Sequence, residues 1–149
     1  MMDETWMAEA LAQARLAGEE GEVPIGAVVV CEDRIVGRGR NARERLHDPT
    51  AHAEILALQE ASRTLSRWRL AGCTLYATLE PCPMCAGALV NARLDRLVYA
   101  VSDPKAGATG SLFDLARDPR LNHRLVVEHG ALAEECGALL RDFFRQRRK

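Results

Sequence analysis

Two short motifs in this 149-residue chain combine residue types that can do chemistry: His52-Ala53-Glu54 and Pro81-Cys82-Pro83-Met84-Cys85. They offer one imidazole and two thiolates to a metal ion and leave a fourth coordination place open. Three protein ligands with an open place is the pattern of a hydrolytic zinc site, whereas structural zinc is usually closed by four. Zinc lowers the pKa of a bound water from about 9 toward about 7, so hydroxide is available near neutrality. Glu54 then has a task that a structural site would not give it: it takes the proton from water and delivers it to a substrate nitrogen. Taken alone, the Cys-x-x-Cys also suits a redox pair, and a lone His-x-Glu means little. Their order, and the 26 residues between Glu54 and Pro81, favour the hydrolytic site.

That gap has room for a helix, a return loop and one strand. Upstream of it, Trp6, Met7, Ala10, Leu11, Ala14 and Ala17 recur at helical spacing, with Gly18 or Gly21 to end the helix. Ile25 to Val30, a turn at Glu32-Asp33 and the alternating Arg34 to Arg40 read as a hairpin. A polar loop runs from Asn41 to Pro49. Thr50 can then cap a helix reaching about Leu65, with Ile55, Leu56 and Leu58 turned inward. Thr74 to Thr78 is a strand. Cys82 as cap and Pro83 at the first helical position open a helix through about Ala92. A strand over Arg96 to Val101, a glycine-bearing loop from Ser102 to Leu115, a last strand beginning at Leu125 and a terminal helix from Ala133 to about Gln146 complete the order. Strands alternating with helices imply an α/β fold around a mostly parallel or mixed sheet. Two successive crossovers would bring two helix N-termini together at the carboxyl edge of that sheet, where such folds bind ligands. The partial positive charge of those helix ends favours thiolate at Cys82 and Cys85.

The bulk properties are those of an ordinary globular protein, 48% hydrophobic and 28% charged. Its length fits one domain over residues 1–149. Met1 to Ala10 is acidic and lacks a basic region followed by an apolar run, so no secretory signal is expected. No stretch approaches the roughly 20 apolar residues of a membrane span, and a cytoplasmic location is expected. Cys31, Cys73 and Cys136 sit among apolar residues and read as small buried hydrophobes. His47 is a weak rival ligand, and His123 and His129 read as surface or structural. Charge is unevenly spread: Met1 to Glu22 holds six acids and one base, Arg141 to Lys149 five bases and one acid. The basic ending suits a polyanion, but charge alone favours a solvated helix end whose cations complement the dipole.

The His-x-Glu and Pro-Cys-x-x-Cys pair is the known signature of the zinc-dependent cytidine deaminase superfamily, which this chain resembles. More narrowly, it resembles the bacterial tRNA-specific adenosine deaminases from about Trp6 to Lys149. The similarity is carried by Val23-Pro24-Ile25-Gly26-Ala27-Val28, Asp48-Pro49-Thr50-Ala51-His52-Ala53-Glu54 and the segment from Thr78 to Ala88. Gly110-Ser111-Leu112 and the ending Asp142-Phe143-Phe144-Arg145-Gln146-Arg147-Arg148 point to the tRNA branch. The resemblance implies a three-layer α/β/α cytidine deaminase-like fold with a five-stranded mixed sheet, and a homodimer. It implies one zinc ion per subunit on His52, Cys82 and Cys85, with Glu54 catalytic. The implied reaction turns adenosine into inosine at the wobble position of a tRNA anticodon stem-loop, with loss of ammonia. It further implies that Asn41 holds the purine and that the Ala53 N–H meets the C6 substituent. Asp103 and Lys105 lie in the family's RNA-facing loop, and Phe143, Phe144, Arg147 and Arg148 match its terminal helix.

Physical considerations accompany each of these roles. A stacked base must be splayed out to reach a metal-activated water, and loop bases are the easiest to extract. A phenylalanine can stack on a neighbouring base for about 1–3 kcal/mol, or anchor the last helix, and one ring is expected in each role. Asn41 can also simply shape the loop after the hairpin. Asp103 precedes Pro104 and can serve a turn. As an RNA contact its carboxylate suits a ribose 2′-OH better than a phosphate, and so favours RNA over DNA. A deaminase of a free base or nucleoside, such as guanine or cytosine, would use the same zinc chemistry, and the basic Phe-Phe-Arg ending argues against it. An RNA-binding module with structural zinc leaves Glu54 without a role.

Overall fold

A tight turn starts the sheet. In the computed structural model, which describes residues 2–147, helix α1 (Met2–Glu19) leads to strands β1 (Gly26–Cys31) and β2 (Arg34–Arg40). Glu32 and Asp33 join the two strands with φ of 51° and 59°, the left-handed pair that a two-residue hairpin with right-handed strand twist requires. Helix α2 (Ala53–Leu65), β3 (Cys73–Leu79), α3 (Pro83–Asn91), β4 (Arg96–Val101), β5 (Val126–His129) and α4 (Ala133–Arg147) follow. The strand order is β2-β1-β3-β4-β5. β1 runs antiparallel to both neighbours, and β3, β4 and β5 are parallel. This is the five-stranded mixed sheet, in α/β/α layers, that the resemblance implies.

Successive strand residues serve opposite faces. Val28, Val30, Tyr76 and Val98 pack with Met7, Ala10 and Leu11 of α1 and Cys136 of α4. Ala27, Val29, Leu75, Ala77 and Leu97 pack with Ala53, Ala57 and Ala61 of α2 and Leu89 of α3. Cys31 and Cys73 face each other across β1 and β3 and are buried there.

The α2 layer lies very close to the hairpin. A Cβ on Gly37 or Gly39 would overlap the carbonyl oxygens of Ala57 and Ala53, so only glycine admits this approach. Alanines 53, 57 and 61 form the matching helix face. That intimacy corrects the expected inward face. Leu58 is buried, but Ile55 and Leu56 are only partly covered, because the space against the strand is too thin for them. The helix start is also corrected. His52, not Thr50, is the N-cap, and the Thr50 hydroxyl donates instead to Asp48 Oδ1 at 2.7 Å in the preceding turn.

β2, β3 and β4 share one direction, so their carboxyl ends meet at one edge, with the N-termini of α2 and α3 beside them. No helix among the described residues is long and apolar enough to cross a membrane.

Candidate active site

His52 is the N-cap of α2 and Cys82 the N-cap of α3, and neither side chain caps its own helix. Both turn toward a shared point, which Cys85 reaches from the first turn of α3. Pro83 makes this possible: it needs no N–H partner at the first helical position and pre-sets the helical φ. His52 Nδ1 stands 3.6 Å from Cys82 Sγ and 3.5 Å from Cys85 Sγ. Bonds of about 2.3 Å to sulfur and about 2.0 Å to nitrogen, at tetrahedral angles, would set sulfur and nitrogen about 3.5 Å apart. All three atoms lie within 4.8 Å of one another. The residues present therefore fit a tetrahedral ion, and two thiolates with an imidazole favour zinc over harder cations.

The electrostatics set the two cysteines apart, with one proton shared between them. The Cys85 hydrogen bond and the adjacent His52 ring draw the Cys82 thiol down to about 4. The same bond, together with burial, drives Cys85 well above its usual range. His52 is raised by its bond to Cys82. Glu54, in the first turn of α2, is 4% exposed and leans on the Cys85 thiol and its own backbone N–H. Burial pushes its carboxyl up to about 7, within the range that suits proton transfer at neutral pH.

A cleft of about 180 Å³ opens at these groups, walled by His52, Glu54 and Cys82 on one side and by Asn41, Asp103 and Ala106 elsewhere. Asn41 is buried, donates Nδ2 to the Val23 carbonyl at 3.2 Å and accepts the Arg43 N–H on Oδ1 at 3.3 Å. It therefore shapes the loop and also faces the cleft. Ala53 is the first residue of α2, where a backbone N–H has no partner within its own helix. Asp103 Oδ1 accepts the N–H groups of Lys105 at 3.0 Å and Ala106 at 3.3 Å, which makes the turn at Pro104.

The terminal helix separates the two rings. Phe143 is half-buried, lines a groove with Arg15, Gly18 and Pro24, and carries the Arg147 guanidinium over its face at 4.7 Å. Phe144 is 45% exposed and lines a second groove with Lys105, Asp103, Leu79 and Arg141. Asp103 and Leu79 also wall the cleft, so this groove runs out from it. Arg147 donates to the Gly21 carbonyl, which ties it to the end of α1. Arg148 lies outside the described residues. His47 sits in a left-handed turn with φ 50°, apart from the ligand cluster. His123 Nε2 lies 2.6 Å from the Leu94 carbonyl, and His129 stacks on Tyr99 at 5.2 Å.

Three residues of the site were not singled out from sequence. Arg43 and Glu80 line the cleft. Glu22, 2% exposed, accepts the N–H groups of Glu44 at 3.1 Å and Arg45 at 2.7 Å and so pins the loop that carries Asn41. A signal existed for Glu80: a lone carboxylate at the end of an apolar strand, next to the ligand motif. Glu22 had none, being one acid in a run of three.

Similarity to known proteins agrees with this geometry. The family model for MafB19-like deaminases matches residues 1–148. A tRNA-specific adenosine deaminase of Bacillus subtilis is 50% identical over 147 residues, 99% of this chain and 91% of that protein. One of Haemophilus influenzae is 49% identical over 148 residues, 99% of this chain and 86% of that protein. A solved structure from studies of A-to-I editing by tRNA:A34 deaminases at the wobble position of transfer RNA has a TM-score of 0.88 at 44% identity, covering 91% of this chain and 99% of that one. A guanine deaminase from Nitrosomonas europaea has a TM-score of 0.78 at 29% identity, covering 94% of this chain and 83% of that one.

Proposed function

The chain belongs to the MafB19-like deaminases and to the tRNA-specific adenosine deaminases that match it along nearly its whole length, and we propose that it is a zinc enzyme converting adenosine to inosine at the wobble position of a tRNA anticodon. The observation that carries this reading is a buried, non-ligating Glu54 beside three donor atoms spaced for a tetrahedral ion.

His52, Cys82 and Cys85 would hold the zinc ion, which would supply a water acidic enough to lose its proton near neutrality. Glu54 accepts that proton and passes it to a ring nitrogen as oxygen bonds to C6. It then takes the proton of the new C6 hydroxyl and hands it to the amine, so that C6–N breaks, ammonia departs and the C6 carbonyl of inosine forms. Asn41 keeps a second amide hydrogen for the purine edge, and the Ala53 N–H is available to the C6 substituent. Of the two rings, Phe144 is the one offered to a flanking base, with Lys105 beside it for phosphate, while Phe143 anchors the helix. Arg147, held over Phe143, adds positive charge to the terminal helix, and Arg148 follows it in the sequence. The anticodon stem-loop is the RNA partner, the enzyme works in the cytoplasm, and it pairs with a second copy of itself. The exposed Leu112 and Phe113 give such pairing an apolar surface.

Likeness to a guanine deaminase favours a second reading, hydrolysis of a free base. The two separate when purified protein is given tRNA with adenosine at the wobble position, and in parallel free guanine, cytosine and adenosine. The tRNA is expected to acquire inosine, read as G on sequencing, with no ammonia from the free compounds. Ammonia from a free base and none from tRNA would reverse the choice.

Asp103 supplies a further test. In Asp103→Asn the amide oxygen can keep the turn's acceptor position, so the loop survives while the charge is lost. Loss of a charged hydrogen bond to a 2′-OH should lower the ratio of activity on matched RNA and DNA hairpins roughly tenfold. An unchanged ratio removes this role from Asp103.

A further inference from the structure

The proton-transfer account has no use for Glu80, yet Glu80 is only 2% exposed and sits in the wall of the cleft. Four donors converge on its carboxylate. The Asp103 N–H at 2.9 Å and the Ser111 hydroxyl at 2.5 Å reach Oε1. The N–H groups of Thr109 and Ser111, both at 3.0 Å, reach Oε2. Backbone bonds reinforce the join: Glu80 N–H donates to the Val101 carbonyl at 2.8 Å, and Ala108 N–H to the Pro81 carbonyl at 2.9 Å. The loop closes on the carboxylate with no space to spare, because a Cβ on Gly107 would overlap the carboxyl carbon and Oε1. Burying a carboxylate is unfavourable unless its oxygens are fully bonded, as they are here. What it joins is two neighbouring parts of the wall of one cavity, at the ends of the paired strands β3 and β4. One is the strand end that continues into Cys82, and the other is the 103–111 loop that presents Asp103 and Ala106.

We propose that Glu80 is a positioning residue for the deamination: it holds the 103–111 wall at a fixed separation from the Cys82 strand end, so that the base is presented to Glu54 in a reactive pose. The inference rests on the deaminase reading given above. It is distinct from support of the fold in general, which would alter how much protein is active and not how fast each loaded site turns over.

Glu80→Gln is nearly isosteric and releases one end of the loop. Its amide oxygen can still accept from Thr109 and Ser111, but its NH2 then faces the Asp103 N–H, donor against donor. The reverse orientation opposes two N–H groups and is worse. Ser111→Ala removes one of the four donors and leaves every N–H bond, so it is the milder lesion. Gly107→Ala presses on the carboxylate from the loop side. Zinc content and a cooperative melt are checked first, and rates are expressed per zinc-loaded site. Glu80→Gln and Gly107→Ala are expected to lower kcat on tRNA by about 10- to 100-fold, the scale of a displacement near 1 Å. KM should change by less than about threefold, because phosphate contacts outside the cleft supply most of the affinity. Ser111→Ala should stay within about threefold in both. Amide hydrogen exchange should quicken at Asp103 in Glu80→Gln and stay slow at Thr109. A kcat within about twofold of wild type, a loss confined to KM or zinc content, or unchanged exchange at Asp103 would overturn the inference. Wild-type inosine formation, measured alongside, tells failure of the deaminase reading apart from failure of this one.

Discussion

Glu54→Ala is expected to keep one zinc per chain and to bind tRNA, yet to form inosine about 10²- to 10⁴-fold more slowly, the usual worth of a positioned proton carrier. The carboxylate is not in the ligating cluster, so metal binding does not need it. It lies in the first turn of α2, two residues past His52, and is buried in the cleft wall. Glu54→Gln should fall as far, because an amide of the same shape cannot take the proton. Zinc content by mass spectrometry, tRNA affinity by filter binding and inosine by sequencing decide the matter together. Loss of zinc would make Glu54 a ligand, and undiminished inosine would return the site to a structural role.

Removing the metal should have the next largest effect. Treatment with a strong chelator is expected to abolish deamination, and one equivalent of zinc per chain to restore it. The protein should remain folded, because the two apolar clusters on either face of the sheet close without any contribution from the ion. Its melting temperature should nonetheless drop. At free zinc a thousandfold above Kd, binding adds about 4 kcal/mol to the folded state. In a domain of this size that corresponds to roughly 10 °C. His52→Ala and Cys82→Ser should melt at the temperature of the apo protein and gain nothing from added zinc. A chelated protein that still forms inosine, or one that unfolds outright, would contradict the assignment of this centre as catalytic.

The parts of the site that could be read in advance were those whose signals are local. Cys82 and Cys85 stand three apart in a first helical turn, and Pro83 between them can occupy only the start of a helix. The Glu32-Asp33 turn lies between a β-branched run and an alternating one, and the hairpin formed where that pattern said. Element edges were less legible. Thr50 has the better capping chemistry, but His52 holds the cap position because Gly37 and Gly39 let α2 settle where its first turn is Ala53. Which phenylalanine faces outward was open for the same reason: Phe143 and Phe144 are adjacent, and only the docking of α4 near α1 covers one of them.

Residue types and their spacing by themselves single out which atoms can hold a cation and which carboxylate lies beside them. Those are short-range facts, settled within one or two helical turns of each motif. The tertiary structure alone decided the shape of the cleft, through Glu22 under the Asn41 loop and Glu80 under the loop opposite. Each of these acids bonds partners 22 to 31 residues away. A buried carboxylate's partners depend on which loops the fold brings to it, and no pattern in the neighbouring residues encodes that meeting.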